Sequence, residues 1–578
     1  MENIRVYCKN TNSFHSCKPG TKLVDLMNEM GYTHNTLKNG NSQPVLAAYV
    51  DNQLKELGFA IYMAHSIEFL DITHPDGRRT YMRSLCFLLQ KAVNDVYDNR
   101  YQLEINYSLP NGLYGELHQK EATSGSSKKG HMPIIPCCDN DINKIKGRMQ
   151  ELIASDLPYI KTKKNLEESV ALFEQHGQPE KAFLAKSTGN FFNSVYYLDG
   201  YGDTFYGPML HSTGFITKFD LVKYNNGFCL QAPQPFEPDS LPEVKFQDKL
   251  YEIFEENGKW CRILGASGIG TVNMAIQKGY AHQMIQIAEA LHERKYAAIA
   301  DMIYERKDRV KLVLLSGPSS SGKTTTSKRL AVQLKVLGLN PVVLEMDNYF
   351  VDREKTPLDE DGKYDFESIY AMDLELLNSQ LSALLAGDEV EIPKFNFTEG
   401  KSTFCGNKLK LGESDILIME GIHALNPQLT ASIDDEKKFR IHASALTTLS
   451  IDENNVISTT DNRMLRRMVR DNNFRGTSAE ETIMRWQSVR RGEYRNIFPY
   501  QENADVMFNS SLIYELPMLK HYAEPLLRRI SPTSPAYAES LRLLKFLSYI
   551  TVMSPKEQAG IPPTSVMREF IGESTFTY

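Results

Sequence analysis

The sequence predicts a multidomain α/β protein with a doubly wound parallel sheet in its C-terminal half. Three observations lead there. At 578 residues and 65.8 kDa the chain exceeds what one hydrophobic core organises, so several domains are expected. An apolar run over 311–316 feeds a glycine-rich loop and a helical stretch ending at Gly338, and a second apolar run over 341–346 follows directly. The opening residues instead alternate short apolar runs with turn signals, as a small α/β unit does.

Composition narrows the class of function. The formal net charge of −7 excludes a globally basic nucleic-acid coat but leaves room for a local basic patch. Eight cysteines are too few for a disulfide scaffold, and neither a CxxC pair nor a Cys/His cluster at zinc-finger spacing occurs, which fits a reducing cytoplasm. MENIRVYCKN lacks the apolar core of a signal peptide, and the runs Leu312–Leu315 and Ile416–Met419 have the length of buried strands rather than membrane spans. A cytoplasmic protein with no membrane contact is expected.

Taken in order, Ile4–Cys8 reads as a strand, Lys18-Pro19-Gly20 as a turn, and Leu23–Met30 as a helix stopped by Gly31. Val45–Val50 reads as a strand followed by the Asp51-Asn52 turn. With "KPGTKLVDLM" and "VLAAYVDNQLKEL", residues 1–72 resemble the TGS domain, a ubiquitin-like module of threonyl-tRNA synthetases and some GTPases. Residues 73–235 resemble the α+β editing domain of the same synthetases through "RSLCFLLQKAVNDVY", "DINKIKGRMQELIASDLPY", "ALFEQHGQPEKAFL" and "YYLDGYGDTFYGPMLHSTG", with 123–130 as a polar loop. In that family an HxxxH helix and a CxxxH loop line the editing site. The matching positions here are Arg83 and Phe87, then Phe205 and Met209, which cannot form a hard or borderline metal site, so the resemblance implies a degenerate one. His211 and the vicinal Cys137 and Cys138 read as packed or surface residues.

Residues 236–305 read as a proline-rich linker and a helical connector, with helical patterns over Lys245–Glu256 and Ala281–Arg306. Gly265, Gly268 and Gly270 have the order GxxGxG rather than GxGxxG, and a turn is preferred to a cofactor loop.

The stretch Gly317-Pro318-Ser319-Ser320-Ser321-Gly322-Lys323-Thr324 is GxxxxGK[ST] in the strand–loop–helix context that the motif requires. Its glycines let backbone N–H groups turn around phosphate, the helix N-terminus adds its dipole, Lys323 reaches the terminal phosphates and Thr324 can ligate Mg²⁺. The loop and Thr325 behind it form the expected ATP-binding segment. A regulatory GTPase is disfavoured, because the nearest text to its NKxD guanine reader, Asn407-Lys408-Leu409-Lys410, lacks the Asp. The second apolar run ends on Asp347, and a carboxylate at the C-terminal end of a strand in an open parallel sheet faces the ligand crevice. There it can orient an acceptor hydroxyl and take its proton.

From these residues onward, 306–515 resembles the uridine kinase and phosphoribulokinase family of P-loop kinases. "GPSSSGKTT", "LEMDNYF", "KYDF", "IPKFNF", "ILIMEGIHAL" and "RRMVRDNNFRG" match its motifs in order. The resemblance implies Asp347 as base and Mg²⁺ neighbour, Asp365 on ribose hydroxyls, Glu420 as a second acid holding Mg²⁺ with Thr324, and Phe395 and Phe397 flanking the base. Arg463, Arg466, Arg467 and Arg470 fall at helical spacings with Arg475 beyond, so a lid over phosphates is expected. In it Arg470 and Arg475 serve the reaction and Arg467 the substrate. The family's last lid arginine is Thr477 here, and its base-reading His is Gly400, so pyrimidine selectivity does not carry over.

The function so implied is ATP- and Mg²⁺-dependent phosphorylation of a nucleoside 5′-hydroxyl, uridine- or cytidine-like. Two alternatives stand beside it: a P-loop kinase of another small alcohol, such as a sugar phosphate or a pantothenate-like substrate, and a tRNA- or ribosome-linked regulator using the P-loop as a nucleotide switch. The amphipathic helical patterns of 516–578 are suited to pack on the kinase part or on a second copy in a homo-oligomer.

Overall fold

The computed structural model describes residues 3–120, 133–358, 362, 364–396, 399–447 and 449–578. The polar loop expected over 123–130 lies outside them. The C-terminal half is built on five parallel strands, ordered from one edge Asn340–Glu345, Asp415–Glu420, Leu312–Ser316, Lys438–Ser444 and Val506–Asn509. The first of these in sequence, Leu312–Ser316, is central and buried throughout, because helices cover both of its faces. On one face Val313, Leu315, Ile416, Ile418 and Ile441 pack with Leu330 and Leu334 of the helix Lys323–Val336 and with Tyr296 and Ile299 of the helix Ala281–Tyr304. On the other, Leu312, Leu314, Leu417 and Met419 pack with Leu377, Leu381 and Leu384 of the helix Leu374–Ala386. The chain leaves the central strand first toward one edge and later toward the other, so the crevice at its C-terminal end is a topological switch point.

The first residues form a mixed five-stranded sheet, in which Ile4–Cys8 pairs antiparallel with Ser13–Cys17 and parallel with Ser66–Leu70. The helix Leu23–Glu29 lays Leu23, Val24, Leu26 and Met27 into the core. The strand expected over Val45–Val50 is shorter, Ala47–Val50, because Ser42–Pro44 just before it pairs with His34–Thr36 outside that sheet.

An antiparallel sheet follows, centred on Gly112–Gln119 and flanked by Tyr101–Leu109 and Gly227–Gln231, with the long helix Pro75–Tyr97 against it. This helix starts cleanly because Pro75 needs no N–H partner and the His74 ring accepts from the Asp76 amide at 3.2 Å. The stretch "ALFEQHGQPEKAFL" is split between the helices Leu166–Gln175 and Pro179–Thr188, since Gly177, at φ +72°, and Pro179 end one helix and open the next.

The helix expected over Lys245–Glu256 runs instead from Asp248 to Ile263, because Phe246 leaves the helical path to stack on Tyr224. The glycine-rich 264–272 is more than a turn: Gly268 caps a helix, Ile269–Gln277. A Cβ on Gly268 would lie 2.6 Å from the Glu180 carboxylate and one on Gly270 2.6 Å from the Leu184 amide, so these glycines serve close packing on the helix Pro179–Thr188. At the C-terminus the helices Glu515–Leu527 and Tyr537–Ser548 join one core with the helix Thr459–Phe474. Among the described residues no helix is long and apolar enough to cross a membrane.

Candidate phosphoryl-transfer site

The nucleotide loop leaves Leu312–Ser316 at the switch point. A Cβ on Gly317 would stand 1.9 Å from the Ala443 carbonyl, so only glycine allows the loop to leave the sheet there. Ser320 and Gly322 adopt left-handed backbone at φ +58° and +77°, which folds the loop back onto the N-terminus of Lys323–Val336. Lys323 Nζ donates to the carbonyls of Gly317 at 3.0 Å and Pro318 at 3.2 Å, so the cation lies across its own loop. The hydroxyls of Ser320 and Ser321 are buried without a hydrogen-bond partner among the described residues, which leaves both donors unused inside the loop.

Two acids face this loop. Glu345 and Glu420 stand in register on neighbouring strands, and Asp347 follows in the turn Met346–Tyr349. Glu420 is pushed up to about 7: burial is the main cause, the Asp347 and Glu569 carboxylates add to it, and Lys323 and the Thr324 hydroxyl oppose it. Its Oε2 is buried without a partner. Asp347 is raised by the low-dielectric walls around it despite its open side toward solvent, with Lys323 and Arg475 opposing. Burial lowers Lys323, while Glu420, Asp347 and Glu569 support its charge. A hydroxyl at Thr324, an orphaned carboxylate oxygen at Glu420 and a solvent-facing carboxylate at Asp347 are oxygen donors that fit a divalent cation shared with phosphate.

The arginine helix Thr459–Phe474 has two roles rather than one. Arg463 is fully buried, held in two places by Glu493 and donating to the Ser319 carbonyl at 3.1 Å. Arg466 is likewise clamped by Glu515 and donates to the Ser510 carbonyl at 2.8 Å and the Ser320 carbonyl at 3.4 Å. These two buttress the loop from behind through its carbonyls. Arg467 reaches the Ser319 hydroxyl at 3.0 Å, Arg470 pairs with Asp471 at 2.7 Å, and Arg475 is 60 % exposed beside the cleft that holds Asp347. Sequence spacing alone could not find Glu493 and Glu515, the acids that divide the helix.

Among the residues expected to bind an acceptor, Asp365 Oδ1 accepts from the Glu367 amide at 3.1 Å, which fixes its turn. Glu367 is pushed up to about 7, first by burial and then by Glu493, with Arg467 and Lys323 opposing. Phe395 is buried and tilts against Phe350 with ring centroids 5.6 Å apart. Phe397 lies outside the described residues. Gly400, at φ +70°, has the Arg353 guanidinium packed over it, 2.8 Å from where a Cβ would stand. The Arg353 side chain therefore fills the space beside Gly400, a contact with no local signal in the sequence.

In the N-terminal half, Arg83, Phe87, Phe205 and Met209 do come together. The rings of Phe87 and Phe205 are 5.1 Å apart, Arg83 donates to the Pro208 carbonyl, and Ser84 Oγ contacts Met209 Sδ at 3.9 Å. Burial of Phe87, Phe205 and Met209 makes this a packed apolar cluster, and among the described residues no group of three or more His, Cys, Asp or Glu is placed to hold a metal.

A central strand, a GxxxxGKT loop and two acids at neighbouring strand ends define a P-loop kinase. Residues 312–512 match the phosphoribulokinase / uridine kinase family. A uridine kinase of Ligilactobacillus salivarius is 30% identical over 203 residues, covering 35% of this chain and 86% of that protein. The chain belongs to the phosphoribulokinase / uridine kinase family. Its N-terminal half is similar to a threonine–tRNA ligase of Syntrophotalea carbinolica, 26% identical over 211 residues that cover 36% of this chain and 31% of the ligase. Among solved structures, that of a possible uridine kinase from Bacillus stearothermophilus covers 36% of this chain and 100% of its own, with 18% identity and a TM-score of 0.24.

Proposed function

We propose that the protein transfers the γ-phosphoryl group of ATP to the 5′-hydroxyl of a nucleoside. The observation that carries this reading is the facing of Asp347 and Lys323 across the cleft, in a chain whose relatives include uridine kinases. The nucleotide loop and Lys323 bind the phosphates, Asp365 and Phe395 hold the acceptor, and Asp347 orients its hydroxyl and takes its proton. Arg467, Arg470 and Arg475 close over the transferred group and limit water. Thr324, Asp347 and Glu420 would hold Mg²⁺, which when bound neutralises charge on the phosphates. None of the eight cysteines is paired in a disulfide among the described residues, which accords with a cytoplasmic protein. The test is a panel of nucleosides, sugar phosphates and pantothenate with ATP and Mg²⁺: a nucleoside monophosphate is the expected product, and no product from any nucleoside refutes the reading.

One observation favours a second reading. Gly400, over which the Arg353 side chain packs, leaves no imidazole to read a pyrimidine edge, and turnover of a sugar phosphate or pantothenate in the same panel would establish a kinase of another small alcohol. Similarity of the N-terminal half to a threonine–tRNA ligase supports RNA contact through that half, testable by filter binding to total tRNA.

A further inference from the structure

Beyond the family's own region, the last residues of the chain reach into the nucleotide loop. Val566, Met567 and Phe570 are fully buried, and a Cβ on Gly322 would lie 2.4 Å from Val566 Cγ2. Phe570 lies beneath the guanidinium of Arg466, 5.1 Å from its ring centre. This packing fixes the short helix Arg568–Ile571, and its Glu569 points at the start of Lys323–Val336. One oxygen of Glu569 accepts from the Thr325 hydroxyl at 2.6 Å and from the Thr325 amide at 3.3 Å. Tyr578 OH adds a contact to the same hydroxyl at 2.9 Å.

The amide and hydroxyl of Thr325 belong to the first turn of the helix behind a GxxxxGKT loop, where N–H groups and the helix dipole receive a nucleotide phosphate. In this structure their acceptor is a carboxylate from the chain itself. Glu569 is also the third acid supporting the charge of Lys323, together with Asp347 and Glu420. Those two lie within residues 312–512, whereas Glu569 lies outside that match. A carboxylate and a phosphate cannot share one set of donors, because both are anionic acceptors and the desolvated loop magnifies their repulsion.

We propose that Glu569 is an intramolecular competitor for the nucleotide: its carboxylate occupies a phosphate position at Thr325, and ATP binds only as that carboxylate is displaced. The inference rests on the loop being an ATP site, as proposed above. Apparent affinity is then the intrinsic affinity reduced by the fraction of molecules with Glu569 released. Giving up charge-assisted hydrogen bonds of this kind corresponds to a reduction of about ten- to a hundredfold. The C-terminal segment thus sets the nucleotide concentration at which the enzyme fills.

The test is calorimetric titration of the full-length protein with Mg²⁺–ATP, comparing wild type with Glu569→Gln, which keeps the shape and removes the charge. The variant is expected to bind about ten- to a hundredfold more tightly. Glu569→Asp, which keeps the charge but withdraws it by one methylene, is the second variant should the first melt early, and it too is expected to bind more tightly than wild type. In wild type, ATP is expected to speed amide hydrogen exchange across 565–578. Equal or weaker binding by folded variants overturns the inference while leaving the kinase reading in place. Absence of ATP binding in wild type and variants alike overturns both.

Discussion

Asp347→Asn separates phosphoryl transfer from mere nucleotide binding. Among the described residues the Asp347 carboxyl makes no hydrogen bond, and its side chain opens to the cleft, so folding stability should change by no more than about 0.5 kcal/mol. The amide keeps the size of the group and loses its basicity. Removing a general base costs about a hundred- to ten-thousandfold in turnover, or roughly 3–5 kcal/mol in the barrier. ATP affinity should move less than about threefold, because the loop amides and Lys323 hold the phosphates. The base must be ionised to act. Since its surroundings raise the Asp347 pKa, wild-type activity should rise with pH through an apparent pKa above the ordinary carboxylate value, and the variant should lose that limb. The assay pairs ATP binding by calorimetry with nucleoside monophosphate formation by chromatography across pH. Wild-type product formation by the variant would refute the role, as would a loss of ATP affinity equal to the loss of turnover.

The two faces of the arginine helix should respond differently. Arg470→Ala and Arg475→Ala should each lower turnover by about ten- to a thousandfold with unchanged melting. Arg463→Ala should cost about 3–5 kcal/mol in urea denaturation by stranding the buried Glu493, and unchanged stability would discard the buttress. Glu420 binds its proton more tightly folded than unfolded, with a pKa of about 7 against 4.5, so its contribution to stability declines as pH rises across that window. Glu420→Gln should therefore stabilise the apo protein at pH 8 by at most about 3 kcal/mol and change little near pH 4, as followed by denaturation at both values. The full-length protein should bind no stoichiometric zinc and deacylate no seryl-tRNA, because Arg83, Phe87, Phe205 and Met209 supply neither ligands nor a base. Zinc by elemental analysis, or hydrolysis of the ester, would contradict this.

How legible each part was follows from the range of the interactions that fix it. The nucleotide loop, Thr324 and Asp347 were readable because a strand, a glycine-rich turn and a helix within a few residues fix where those groups go. The arginine helix was readable as a helix, but not as a divided one. Arg463 and Arg466 are set apart from Arg470 and Arg475 by Glu493 and Glu515, which arrive from later helices, and by loop carbonyls brought to them by the fold. Gly400 was legible as a glycine where the resemblance expects a histidine, whereas the packing of Arg353 over it depends on the fold returning that residue to the same corner. The glycines at 268 and 270 were legible as unusual, yet their reason is a contact with Glu180 and Leu184 far earlier in the chain. Glu569 carried no signal, since an isolated acid near a C-terminus is ordinary.

A buried lysine is one of the contacts that join the two halves. Lys181 is wholly enclosed, and its ammonium is held by Asp203 at 2.6 and 2.7 Å and by the side-chain Oδ1 of Asn454 at 2.7 Å, with Asp452 at 4.0 Å. Glu453 accepts from the amides of Glu180 at 2.7 Å and Lys181 at 3.3 Å, capping the helix Pro179–Thr188 from outside it. Desolvating each such ion costs several kcal/mol, and full pairing offsets that cost only while both sides remain together. Asp203 and Lys181 come from the synthetase-like half, whereas Asp452, Glu453 and Asn454 come from a hairpin of the kinase region. That hairpin runs directly into Ser458, which caps the arginine helix. The start of the arginine helix is thus seated on the N-terminal half, and cutting the chain near 306 would strip the hairpin of its partners. A kinase that keeps this half therefore has a structural use for it that is independent of any RNA.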